Sequence, residues 1–182
     1  MIFSKPFYYI RNIKDHLKYK ERILSRMNEN SFWIHTPQIT EYRSVISNTD
    51  WSFTTSDWFE KSLSQRDKDQ LEKYICQKYG VNGIDVRRQW FNQYYKNSGS
   101  DHPYHNHSSE KNFNDLTCIY YVELENKSLR TILKNPRTGK EVIPRSKEGQ
   151  ILIFDATILH KSPRNYTDTR KSVISFNIRL CR

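Results

Sequence analysis

Glycine is scarce in this 182-residue chain, at 5 residues, and no glycine-rich loop of the Walker or dinucleotide type occurs, which removes ATP and NAD chemistry from consideration. Cysteine is sparse too. Cys76, Cys118 and Cys181 are odd in number and form no C-x-x-C pair, so neither a disulfide framework nor a thiolate zinc site is indicated. All three are expected to be reduced, with Cys118 buried in a strand. Nowhere do eighteen apolar residues run together, and the segment from Met1 to Phe7 lacks the apolar stretch of a signal peptide, so the expectation is a soluble, cytoplasmic protein with no membrane partner. Repeats, low-complexity tracts and obvious linkers are absent as well, and one domain over residues 1–182 is expected.

Aromatic residues, by contrast, make up 14% of the chain and supply core material that the 36% hydrophobic content understates. The net charge is +10 and the pI near 9.5, a balance that would attract nucleic acid or another acidic partner. The basic residues are scattered without an aromatic-interleaved stripe, however, and read as a solvated surface.

The chain changes character near residue 82. Before it, two helices are expected. One runs from Asp15 to Met27. The other runs from Ser64 to Tyr79, with a capping box from Ser64 to Asp67 and Gly80 as its stop. Between them lies irregular chain with Trp33, Trp51 and Trp58 as core anchors. From Gly83 onward, Ile84–Tyr95, Leu116–Leu124, Leu129–Leu133, Gln150–Phe154 and Lys171–Leu180 read as strands separated by turn signals. The fold class is therefore mainly β with N-terminal helices: helical and irregular support over 1–82, and a jelly-roll core over 83–182 that carries the site.

If His105 and His107 lie in extended chain, the two-residue period puts both imidazoles on one face and turns Asn106 away. His160, just after the apolar strand Ile151-Leu152-Ile153-Phe154, can supply a third ligand. Imidazoles with open coordination positions suit iron(II), and zinc, copper and nickel as well. After a turn-rich segment, Arg170 and Ser172 share a strand face that can point back toward His160, and a guanidinium beside a hydroxyl binds a carboxylate. A metal next to a carboxylate anchor fits a 2-oxo diacid at both ends. Asn92 and Trp90 can line the same pocket. His102 falls on the wrong face of an extended chain, and His16 and His35 have no partners in the sequence.

These residues resemble the 2-oxoglutarate and iron(II)-dependent dioxygenases of double-stranded β-helix (cupin-like) fold, nearest to prolyl-hydroxylase-like and small phage-type members. The resemblance rests on His105-x-His107 before Leu116-Thr117-Cys118-Ile119-Tyr120-Tyr121, on Gly149-Gln150-Ile151-Leu152-Ile153-Phe154 before His160, on Arg170-x-Ser172, and on Gln89-Trp90-Phe91-Asn92-Gln93-Tyr94 as the strand opening the core. It covers roughly residues 84–180, and partly Trp51–Tyr79. It implies Fe(II) held by His105, His107 and His160, with 2-oxoglutarate on Arg170 and Ser172 and a hydrogen bond from Tyr121. Hydroxylation of a peptidyl residue, an amino acid or a nucleic-acid component would then release succinate and CO2. The commoner motif has a carboxylate at position 107. Here a three-histidine site, a carboxylate from Glu110 or Asp101, and metal binding without turnover all stay open, as do a three-histidine cupin-type dioxygenase independent of 2-oxoglutarate and a non-catalytic jelly-roll binding module.

Overall fold

The structure, a computed structural model, describes residues 6–29, 48–50, 57–95, 103–108 and 115–182. Trp33, His35, Trp51, Asp101, His102 and Glu110 lie outside the described residues.

Two antiparallel sheets form the β-rich body. The larger is built from β1 (Tyr8–Asn12), β2 (Asn48–Thr49), β3 (Gly83–Tyr94), β4 (Leu116–Leu124), β7 (Gln150–Asp155) and β9 (Lys171–Cys181), in the spatial order β1-β7-β4-β9-β3-β2. The smaller has the order β6-β5-β8, from β5 (Ile132–Lys134), β6 (Glu141–Val142) and β8 (His160–Lys161). Strands β4 and β9 are central and paired on both sides. Each carries apolar residues on both faces, as strands buried on both faces must.

One face of the large sheet is covered by α1 (His16–Glu29), α2 (Trp58–Ser62) and α3 (Gln65–Tyr79). Ile23, Met27, Trp58, Leu71 and Ile75 pack there on Phe91, Cys118, Tyr120, Ile153, Ile174 and Phe176. Ser64 caps α3 by accepting from Asp67 N, and Gly80 ends it in the left-handed region at φ 67°, as the sequence signals require. The other face looks into the interior between the sheets, where Ile119, Tyr121, Leu152, Phe154 and Val173 meet Leu129, Leu133 and Ile158. Among the described residues, no helix is long and apolar enough to cross a membrane.

Besides the short elements α2, β6 and β8, which were not expected, two departures from the sequence expectation have a local cause. Tyr8–Asn12 forms a strand on β7, although five residues without clear alternation give no strand signal by themselves, since the pairing partner supplies the order. The expected strand Leu129–Leu133 is split into a 3-10 turn over Lys127–Leu129 and β5, because the Asn126 side chain caps the turn by accepting from Ser128 N.

The N-terminal helix is held to the sheet at Gly149. His16 is 6% exposed; its Nδ1 lies 2.8 Å from Tyr120 Oη and its Nε2 lies 3.3 Å from Glu148 Oε1. A Cβ added at Gly149 would sit 3.0 Å from the His16 ring, and its φ of +75° is a conformation that L side chains rarely adopt. Gly149→Ala is therefore expected to cost about 2–4 kcal/mol, combining left-handed strain with overpacking against a tethered ring. Chemical denaturation of the variant checks this.

Candidate metal centre

Residues 103–108 run alongside the small sheet as extended chain. His105 N donates to His160 O (3.1 Å), His160 N donates to His105 O (2.9 Å), and His107 N donates to Ala156 O (2.9 Å). Strand alternation then turns His105 and His107 inward while Asn106 is exposed. His160 enters from β8. The three imidazoles meet, with ring centroids 4.4 Å apart for His105–His160, 4.9 Å for His107–His160 and 5.3 Å for His105–His107. One ligand atom from each lies within 4.8 Å of the others, a grouping that can hold a metal ion.

Hydrogen bonds decide which nitrogen each ring offers. His105 Nδ1 lies 2.9 Å from Pro103 O, His160 Nδ1 lies 3.1 Å from Ile158 O, and His107 Nδ1 lies 2.8 Å from Asn177 Oδ1. All three are acceptor oxygens, so each Nδ1 carries the proton and each Nε2 is left as the ligand atom, the outer-shell arrangement that orients metal-binding histidines. Burial, reinforced by His105 and Arg88 and opposed by the Asn177 hydrogen bond, pushes the His107 pKa down to about 4. Burial lowers that of His105 as well. At neutral pH the His107 ring is uncharged, the form that binds metal. Trp90 and Phe154 wall the group, 5.2 Å from His107 and 4.9 Å from His160 between centroids.

Arg170 and Ser172 go elsewhere. Arg170 Nε and Nη2 donate to the Glu123 carboxylate at 2.7 and 3.0 Å, and Ser172 Oγ donates to Glu123 Oε2 at 2.5 Å while accepting from Gln93 Nε2. On β9, Ile174, Phe176 and Ile178 pack with the helices, whereas Val173 faces the interior cluster and Asn177 faces His107. Position 172 has the parity of the helix side, and the residue with the parity of the interior is Lys171.

Lys171 is 1% exposed. Its Nζ donates to Ser162 Oγ at 2.7 Å and lies 4.9 and 5.8 Å from the ring centroids of Tyr94 and Tyr121. Among the described residues no carboxylate pairs with it, and burial alone pushes its pKa down to about 7. Ser162 is two residues beyond His160, a rise of roughly 6.5 Å along an extended chain, so a buried cation and the three imidazoles share one interior.

Tyr121 is also inside, donating to Thr131 Oγ1 at 2.8 Å, and burial raises its pKa, which keeps the phenol neutral. Asn92 shares the inward face of β3 with Trp90. In the amide orientation that satisfies both its ends, its nitrogen donates to Thr49 Oγ1 (2.7 Å) and its oxygen accepts from Trp90 Nε1 (3.2 Å), which steadies the indole beside His107. Lys171, Asn177 and Ser162, which share this interior with the histidines, were not legible in the sequence as neighbours of the candidate centre. Their only signal is parity along β9 and β8, and parity needs a fixed register.

No protein-family model matches the sequence, and no curated protein sequence matches it. Solved structures do. A prolyl-4-hydroxylase from Pseudomonas putida superposes with a TM-score of 0.66 at 12% identity, covering 98% of this chain and 94% of the other. A viral collagen prolyl hydroxylase from Paramecium Bursaria Chlorella virus-1, solved as a 2OG complex, gives 0.61 at 12% identity over the whole of both chains. The non-heme alpha ketoglutarate dependent epimerase SnoN from nogalamycin biosynthesis gives 0.67 at 12% identity, over 94% of this chain and 77% of that one. At these identities the likeness speaks for architecture, and the chain has the jelly-roll fold of the 2-oxoglutarate and Fe(II)-dependent oxygenases.

Proposed function

We propose that the protein is a 2-oxoglutarate-dependent, non-haem Fe(II) oxygenase that hydroxylates its substrate through a three-histidine centre. One observation carries the reading: three imidazoles, each offering a ligand atom within 4.8 Å of the others, share an interior with a buried lysine that no described carboxylate neutralises. His105, His107 and His160 would hold the metal. Imidazole donors suit iron among several transition metals, and the fold favours iron. The Lys171 ammonium, assisted by Ser162, would take the distal carboxylate of the co-substrate, and Tyr121 lines the same space. When bound, iron and 2-oxoglutarate together supply oxidative decarboxylation to succinate and CO2 coupled to hydroxylation of a C–H bond.

The remaining work falls to the chain. Trp90, Phe154, Tyr94 and Tyr121 surround the polar groups with apolar surface, which excludes water and strengthens the attraction between Lys171 and an entering carboxylate. Asn177 and the carbonyls of Pro103 and Ile158 hold the Nδ1 protons, so the ligand nitrogens stay deprotonated.

Anaerobic titration with Fe(II) and 2-oxoglutarate tests the reading. The expected result is a weak visible charge-transfer band, followed on admission of air by oxygen uptake that depends on 2-oxoglutarate and yields succinate. Uptake without such dependence would favour a dioxygenase that needs no 2-oxo acid, and binding without metal would favour a non-catalytic module.

The anchor also sets a pH dependence. Below about pH 7 Lys171 is already protonated and receives the carboxylate directly. Above it, binding must take up a proton, so affinity for 2-oxoglutarate is expected to fall by up to about tenfold per pH unit, one pKa unit being worth a factor of ten. Calorimetric titration of the Mn(II)-loaded protein in buffers of different ionisation enthalpy would detect the proton uptake.

A further inference from the structure

The outer face of the small sheet carries a cluster that the proposed chemistry leaves unused. Tyr104 Oη donates to Glu141 Oε1 at 2.5 Å, and Lys161 Nζ lies 3.6 Å from the same oxygen. Lys134 Nζ and Lys161 Nζ lie 4.6 and 4.9 Å from the Tyr104 ring centroid, both within the range of cation–π attraction. The Tyr104 hydroxyl is the foremost of the groups that hold the Glu141 carboxyl below its ordinary range, followed by the two lysines.

The placement of these residues is informative. Tyr104 immediately precedes the ligand His105, and Lys161 immediately follows the ligand His160. Lys134 follows Leu133, which pairs with His160 across β5 and β8. Because successive side chains alternate, Tyr104, Lys161 and Lys134 are each the outward neighbour of an inward residue at or beside the metal centre. Among the described residues, the segment carrying His105 is tied to the neighbouring chain by the bridge to His160 and by the bond from His107 N to Ala156 O, a short ladder to fix its register. A slip of one residue there would turn His105 outward and bring Tyr104 in. Contacts that keep Tyr104 outside therefore oppose that slip.

We propose that Tyr104, gripped by Lys134, Lys161 and Glu141, is a positioning residue that sets the register of the His105 strand and so holds His105 Nε2 toward the metal. The proposal rests on the metal-centre reading above. Its prediction is a loss of metal affinity from substitutions on a face that the metal never touches.

Anaerobic titration with Co(II) alone tests it, read by the d–d absorption bands so that affinity and coordination geometry are both measured without turnover. Tyr104→Leu is expected to weaken Co(II) binding roughly tenfold, the low end of what outer-shell changes do, with altered bands and a melting temperature close to that of the parent metal-free protein. Tyr104→Phe keeps the ring for the two ammonium groups and is expected to retain most of the affinity. Lys134→Met, remote from either ligand in sequence, gives a smaller loss in the same direction and serves if Tyr104→Leu does not fold. Co(II) affinity and bands unchanged in Tyr104→Leu, or in Lys134→Met where that variant has to stand in, would overturn the positioning role while leaving the metal centre intact. Absence of Co(II) binding by the parent protein would overturn both.

Discussion

Replacing Lys171 with methionine is expected to abolish measurable binding of 2-oxoglutarate and, at the same time, to make the protein more stable. The two effects share one cause. An ammonium at 1% exposure has lost its water and recovers one described hydrogen bond, to Ser162, with no described carboxylate in return. Such a group costs the fold free energy, and filling its volume with an apolar side chain is expected to return about 1–4 kcal/mol, the range seen when buried ionic groups are replaced. The sign follows from linkage. The folded-state pKa is depressed to about 7 from the ordinary 10.5, so the folded chain binds fewer protons than the unfolded chain between those values. The penalty is complete below about pH 7 and shrinks as pH rises toward 10.5, and the stabilisation by Lys171→Met should shrink in parallel. Urea denaturation at pH 6.5 and pH 9, with calorimetric titration of 2-oxoglutarate, measures both halves. Arg170→Ala is the contrasting variant. It leaves the Glu123 carboxylate without its bidentate partner, so it should destabilise while the co-substrate still binds. A more stable Lys171→Met that still binds 2-oxoglutarate would remove Lys171 from the site.

The second large effect concerns His107. Replacing it with alanine removes one of the three proposed ligand nitrogens and is expected to weaken Co(II) or Fe(II) binding by more than the roughly 10–100-fold typical of losing an outer-shell partner. Asn177→Leu should fall within that range, because it removes the acceptor that holds the His107 Nδ1 proton but leaves the ring in place. Folding should tolerate His107→Ala well, since Asn177 Oδ1 keeps the Thr117 hydroxyl as a donor at 3.3 Å. A His107→Ala protein with parental affinity would mean that the third ligand comes from another residue. Metal titration of the two variants side by side separates a ligand from the group that orients it.

The histidine set was legible because its information is local. His105-x-His107 needs only extended chain to put two rings on one face, and His160 follows a strand whose apolar run marks it plainly. The cap at Ser64, the stop at Gly80 and the buried Cys118 were readable for the same reason. The anchor was not. Strand β9 lies between β3 and β4; from Ile174 to Ile178 it alternates apolar and polar residues, but both parities are buried, so the pattern alone does not say whether the helix side or the space between the sheets carries the site. Arg170 and Ser172 resemble a carboxylate clamp, and they do clamp one, but it is the Glu123 of the neighbouring strand. The proposed anchor, Lys171, stands a single step of register away. Register in turn is fixed by pairs such as Asn177 with Thr117 and Ile178 with Leu116, which join strands far apart in the chain.

The bridge between His105 and His160 has a further meaning in terms of mass action. The two segments it joins are distant in sequence, and their imidazoles converge only when the jelly roll has closed. A cation that needs all three rings therefore binds the folded chain and has no equivalent site on the unfolded one. Each tenfold excess of free ion over its dissociation constant then adds about 1.4 kcal/mol to the free energy of unfolding. The melting temperature becomes a measure of how full the centre is, available before any substrate has been identified.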